Sequence, residues 1–147
     1  MKSRTKARGL AMQALYELDM TNHLVGNVIS ASLSSSNLSK ELKDFSQKII
    51  VEIYPIRDFL DEIIEEHAPE WPIDQVSSID KNLIRIALWE IAIFTETPVK
   101  VAINESIELA KEFGSDSSPR FINGVLGSLA SKINEIKITI NMKLDPL

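Results

Sequence analysis

The stretch Leu83-Ile84-Arg85-Ile86-Ala87-Leu88-Trp89-Glu90-Ile91-Ala92-Ile93-Phe94 decides the fold, because only Arg85 and Glu90 interrupt its apolar run. A surface helix keeps a polar side, whereas a helix that is apolar all round is one that others surround. The helix containing this stretch, starting at Ser78 or Ile79 and ending near Phe94, is therefore expected at the centre of an all-α domain. Towards the N-terminus, Pro69 and Pro72 bracket Trp71 in a connector. Before it, Leu42, Phe45, Ile49, Ile50 and Ile53 continue past Pro55 into Ile56, Phe59, Leu60, Ile63 and Ile64. Proline lacks an N–H and clashes with the carbonyl four residues back, so Pro55 predicts a kink or a break.

Ser39 is placed to cap that helix. A weaker segment, Val25 to Leu33, ends in the polar cluster Ser34-Ser35-Ser36-Asn37. The first helix runs from about Ser3 to Met20 and buries Leu10, Ala11, Ala14, Leu15 and Leu18. Towards the C-terminus, Thr97-Pro98 opens a helix that Phe113-Gly114 closes, the glycine suiting a left-handed cap. Ser117 or Ser118 before Pro119 opens a last helix whose face is Phe121, Ile122, Val125, Leu126, Leu129, Ala130 and Ile133. Six or seven helices result, with no βαβ pattern, and residues 1–135 are expected to form one all-helical domain. Residues 136–147 read differently, since Ile136, Ile138, Ile140, Met142 and Leu144 alternate with polar residues at the period of an extended strand. Such a tail could pair with another chain, lie along the body or be flexible, which leaves a homodimer open.

The 147 residues suit one core that buries roughly two-thirds of the unfolded surface. With 44% hydrophobic and 25% charged residues, the composition is that of a globular protein rather than a disordered one. The chain has no cysteine, which excludes disulfide frameworks, thiolate zinc sites and iron–sulfur clusters. The basic start meets Gln13, Glu17 and Asp19 before any apolar signal core develops, and no run approaches the roughly 18 apolar residues of a membrane span. A cytoplasmic location is expected, with no membrane association. His23 and His67 stand in no metal-ligand spacing and read as surface residues; no glycine-rich phosphate loop occurs. Neither an enzyme nor a cofactor or metal site is expected.

The net charge of −5 conceals an asymmetry. Lys2, Arg4, Lys6 and Arg8 face no acid before Glu17, whereas eight carboxylates between Glu52 and Asp74 oppose only Arg57. Cations in a first helical turn oppose the macrodipole, so a purely structural optimum would place acids there. Arg4 and Arg8 lie one above the other on the helix, and Lys6 and Gln13 point to another side. Phosphates of single-stranded RNA suit these donors, with Gln13 available to base edges. The other reading is a solvated, fraying terminus. For Phe121, the spacing favours a core residue stacked with Val125 and Leu129. Its place in a first turn beside Arg120 equally allows a platform on which an RNA base stacks.

Four blocks carry a resemblance across nearly the whole chain. They are Arg8 with Ala14-Leu15-Tyr16, Ile79-Asp80-Lys81 with Leu83-Ile84-Arg85-Ile86-Ala87, Val101-Ala102-Ile103-Asn104-Glu105 with Glu108-Leu109-Ala110-Lys111, and Phe121-Ile122-Asn123-Gly124-Val125-Leu126. In this order they resemble the NusB family of transcription antitermination factors. The resemblance implies an all-helical fold of two packed subdomains that binds boxA RNA of ribosomal operons together with the ribosomal protein NusE. That complex loads onto RNA polymerase and helps it pass terminators. The resemblance assigns RNA contacts to Arg4, Lys6, Arg8 and Phe121, and NusE contacts to Tyr16 and Asp80. Tyr16 could instead only edge the core, and Asp80 only complement a helix N-terminus. The chain departs from the family pattern at Glu52, where glycine is usual, and at Pro55. The RNA-binding domain of some ribosomal-RNA cytosine methyltransferases is also similar, so a stand-alone recognition module is a second reading and a protein-interaction scaffold a third. The lack of a methyl-donor domain, and ends that look like those of a complete protein, weigh towards the first.

Overall fold

The computed structural model describes residues 2–144. Among them are eight α-helices and no strand. The chain divides into two compact units, Met1–Ile56 and Arg57–Leu147.

The first unit holds α1 (Ser3–Met20), α2 (Val25–Ser34) and α3 (Lys40–Ile53). Helix α1 packs mainly on α3 and less on α2. Its burial goes beyond the one expected face. Ala7, Ala11, Ala14, Leu15 and Leu18 are joined by Thr5, Arg8, Gly9 and Met12, whereas Leu10 is half-buried. Small side chains at 7, 11 and 14 let neighbouring elements approach closely. Facing them, α3 buries Phe45, Ile49, Ile50 and Ile53. Ser39 caps α3, accepting from the Leu42 N–H at 3.4 Å. At the end of α2 the serine cluster replaces lost helical bonds, with Ser35 Oγ donating to Ala31 O at 2.9 Å and Ser36 Oγ to Leu33 O at 3.0 Å. Pro55 produces the expected break, and a 3-10 turn, Tyr54–Ile56, follows α3.

The second unit holds α4 (Arg57–His67), α5 (Ser78–Trp89), α6 (Val99–Phe113), α7 (Ser118–Ser131) and α8 (Ile133–Leu144). Helix α5 contacts α4, α6 and α7, and all residues from Asn82 to Ala92 are buried, as the apolar run requires. Its two charged interruptions are both matched. Arg85 makes a two-pronged pair with Asp61 through Nε at 2.8 Å and Nη2 at 2.6 Å, and Nη1 donates to Asn82 Oδ1 at 3.0 Å. Glu90 accepts from Thr97 Oγ1 at 2.8 Å. Buried charges persist only with such partners. After α5 the chain widens into a π-helical turn, Glu90–Phe94, which ends at Thr95 in the left-handed region with φ 57°.

Three expectations need correction. The tail is not extended, since α8 reaches Leu144; residues 145–147 lie outside the described part. Ile136 and Ile140, four apart, satisfy a helical period as well as an alternating one, and they are the buried pair, whereas Ile138 and Met142 are exposed. A helix pairs its own backbone groups, which a lone strand in this fold could not do. Gly114 closes α6 in an extended conformation, φ −92° and ψ −171°, rather than a left-handed one. Glycine stands there for space, because a Cβ would lie 2.5 Å from Ser118 Oγ and 2.9 Å from Ala110 O. His67 is buried at the end of the α4 face formed by Leu60, Ile63 and Ile64, whereas His23 is exposed beside Glu17.

Candidate nucleic-acid interface

In the first unit, Lys2 is the N-cap residue of α1, whose first turn contains no acid. Lys2, Arg4 and Lys6 are exposed, but Arg8 is only 4% exposed. The Arg4 guanidinium lies 4.2 Å from the centre of the Phe45 ring, and that of Arg8 lies 5.6 Å from the same ring. Arg8 Nη1 also donates to Thr5 Oγ1 at 3.4 Å. The stacking of Arg4 above Arg8 thus has a base, Phe45, that the sequence pattern of α1 does not contain. The guanidinium of Arg8 is spent on packing, so the solvent-facing cations of the arm are Lys2, Arg4 and Lys6. Gln13 is exposed, and its Nε2 donates to Gly9 O at 3.2 Å. Further along α1, Tyr16 is 38% exposed, with Met20 and Leu24 also open to solvent. Those two exposed apolar residues were not singled out by the sequence pattern.

In the second unit, Phe121 is half-buried in the first turn of α7, beside exposed Arg120. Trp71 meets its ring edge-on, 5.3 Å between centroids at 80°. The indole fits there because residue 124, one turn further along α7, is glycine: a Cβ would stand 2.8 Å from Trp71 Cζ2. Phe121 therefore takes an intermediate position between the two readings open to it, packed on one side and accessible on the other.

Asp80 lies close by, in the first turn of α5, and is only 8% exposed. Ser77 Oγ caps the helix by accepting from the Asp80 N–H at 3.2 Å. The Asp80 carboxylate is held across the unit, with Ser118 Oγ donating to Oδ2 at 2.9 Å. Ser118 in turn accepts from the Ser115 N–H at 2.9 Å, which orders the turn before α7. Burial pushes the Asp80 carboxyl above its ordinary range, and the Ser118 hydrogen bond opposes that shift. Asp80 Oδ1 is buried without a hydrogen-bond partner. Asp80 and Phe121, far apart in sequence, line one open cavity of about 270 Å³ with Pro72, Gln75, Val76 and Ser77. The proline-bracketed connector, which looked like mere linkage, thus supplies a wall of the site.

The NusB family model matches residues 5–131. The chain belongs to the NusB family. A NusB relative from Chloroflexus aggregans, a transcription antitermination protein, is 44% identical over 131 residues, covering 88% of this chain and 87% of its own. In structure the chain is similar to NusB of T. maritima, with a TM-score of 0.80 and 25% identity over 92% of this chain and 96% of that one. In fold the chain is also similar to one chain of a crystal structure of antitermination factors NusB and NusE in complex with dsRNA, at a TM-score of 0.79, with 22% identity and coverage of 89% of this chain and 98% of that one. All four motif blocks fall within the matched residues, whereas α8 lies beyond them. Among the described residues, no helix is long and apolar enough to cross a membrane.

Proposed function

We propose that the chain is a transcription antitermination factor that binds single-stranded boxA-type RNA of ribosomal operons with the ribosomal protein NusE, in the cytoplasm, for loading onto RNA polymerase. The observation that carries this reading is the NusB family match over residues 5–131. Two local features support it. The start of α1 concentrates cations where helix electrostatics favours acids, and the half-buried Phe121 ring stands beside Arg120. Lys2, Arg4 and Lys6 are the proposed phosphate contacts, with Arg8 positioning Arg4 through their shared aromatic base. Gln13 keeps its amide oxygen for a base edge, and Arg120 and Phe121 form a second contact. Tyr16 and Asp80 are the proposed NusE contacts. The test is binding of the full chain to boxA RNA with and without NusE. Cooperative assembly, in which NusE tightens RNA binding, is expected; RNA binding that NusE leaves unchanged would return the chain to a stand-alone recognition module.

A further inference from the structure

Arg4 and Arg8 share one ring, yet only Arg8 is withdrawn from solvent. Both guanidinium groups lie within the roughly 6 Å at which an aromatic face attracts a cation, Arg4 at 4.2 Å from the centre of Phe45 and Arg8 at 5.6 Å. Phe45 belongs to the buried face of α3, the helix on which α1 mainly packs. Arg8 is buried and donates to Thr5, as a cation held for packing would. Arg4 stays exposed although its guanidinium lies over the ring, so the face turned away from Phe45 is the one that solvent reaches. Packing alone does not account for this second cation. It repels the first across a shared ring, and in the first turn of α1 it opposes the helix dipole.

We propose that Phe45 is a positioning residue that holds the Arg4 guanidinium over its ring as a platform for one unpaired RNA base, and that this stack makes the arm prefer single-stranded RNA to duplex. The inference rests on the RNA-binding reading above and adds to it a source of strand selectivity. A guanidinium is planar and stacks on flat rings, whereas an ammonium is a point charge. Its N–H groups lie in its own plane, so the edge of Arg4 can still meet a phosphate while its outer face meets a base. In a duplex the faces of each base are covered by its neighbours, and the arm meets only phosphates and sugars. A single strand can splay a base onto a guanidinium plane. An arginine loose in solvent has rotamer freedom to lose on binding, and one already held over a ring loses less. Lys2 and Lys6 are also exposed, but they offer charge without a plane and serve both forms of RNA alike.

The experiment measures binding of the full chain to a boxA-type single strand, and to the same strand annealed to its complement, over a range of salt concentrations. Wild type is expected to favour the single strand. Arg4→Lys keeps the charge and loses the plane, so its affinity for the single strand should fall about tenfold, towards the lower end of what one stacked base contributes. Its salt slope and its duplex binding should match those of wild type, because the number of phosphates met is the same. Phe45→Leu keeps apolar bulk without a ring and should lower the single-strand preference in the same way, whereas Phe45→Tyr keeps the ring and should retain it. Because Arg4 is exposed, Arg4→Lys decides the matter even where Phe45→Leu fails to fold. An Arg4→Lys variant that binds both RNAs as wild type does overturns the inference, since Arg4 then acts through charge alone. So does an equal loss on both RNAs, or a folded Phe45→Leu variant that keeps the full preference. A wild type that binds neither RNA brings down the RNA-binding reading as well; one that binds the single strand no better than the duplex brings down only the platform.

Discussion

At the start of α1, the groups offered to a ligand lie within a few residues of one helix, and Lys2, Arg4 and Lys6 are all exposed. At Phe121, the walls come from a connector, from the first turn of α5 and from the first turn of α7, and the position of each depends on the others. The first region is a local property of the sequence. The second is a product of packing, governed in part by residues such as Gly124 and Ser118 that need touch no ligand. A substitution in the first should therefore change binding and spare stability, whereas one in the second should couple the two.

The largest expected effect tests the packed region. Gly124→Ala drives a methyl group into Trp71, and overpacking of this kind costs about 1–3 kcal/mol. Denaturant unfolding should show that loss. Because Trp89 is fully buried, an accompanying change in solvent-exposed tryptophan emission reports on Trp71. Unchanged stability and emission would mean that the Phe121 region is not held by this contact.

Next in size is Phe121→Ala. RNA affinity should fall by at least tenfold, about 1.4 kcal/mol. The ring is only half-buried, so stability should stay within about 1.5 kcal/mol of wild type, short of the roughly 3–5 kcal/mol lost when a core phenylalanine is truncated. A loss of the core size without an RNA defect would make Phe121 purely structural and leave Arg120 alone at that end of α7.

A smaller effect separates two cations of the arm. Lys6→Gln should flatten the log–log salt dependence of RNA binding by about 0.7, the single-strand value for one phosphate. Its stability should stay within about 0.5 kcal/mol of wild type, as for other exposed positions. Arg8→Gln should show the reverse, lowering stability through the lost contact with Phe45 and changing the slope less than Lys6→Gln does. Equal slopes for the two variants would place Arg8 among the phosphate contacts after all.

The smallest effect is a pH dependence whose sign follows from Asp80. Burial raises its carboxyl pKa in the folded chain, so between the ordinary value and the raised one the native state holds more protons than the unfolded state. In that window stability falls as pH rises; below it the penalty is absent, and above it the penalty is complete. Measured from acidic to neutral pH, the stability of wild type relative to Asp80→Asn should therefore decline through the window. A difference that rises with pH would mean that the Ser118 hydrogen bond outweighs burial.

Much of the fold was legible because apolar spacing repeats along each helix. The all-round apolar run at 83–94 identified the central helix, and Pro55, which lacks an N–H, marked the interruption found as a 3-10 turn at Tyr54–Ile56. The tail was misread because Ile136 and Ile140 fit two periods at once, and only packing against α7 and the π-helical turn selects the helical one. The cations of α1 were equally plain, but the withdrawal of Arg8 was not. Its partner Phe45 is on another helix, and sequence spacing carries no information about contacts between helices.

By itself, then, the sequence determined helices α1 to α7 and their order, the cationic arm and the family blocks, since each is written in neighbouring residues whose spacing sets local structure. Tertiary structure alone decided which arginine faces solvent, why glycine suits residues 114 and 124, and that Asp80 and Phe121 share a cavity with the 72–77 connector. These are matters of volume and mutual distance between distant segments, and such distances exist only once the helices have packed.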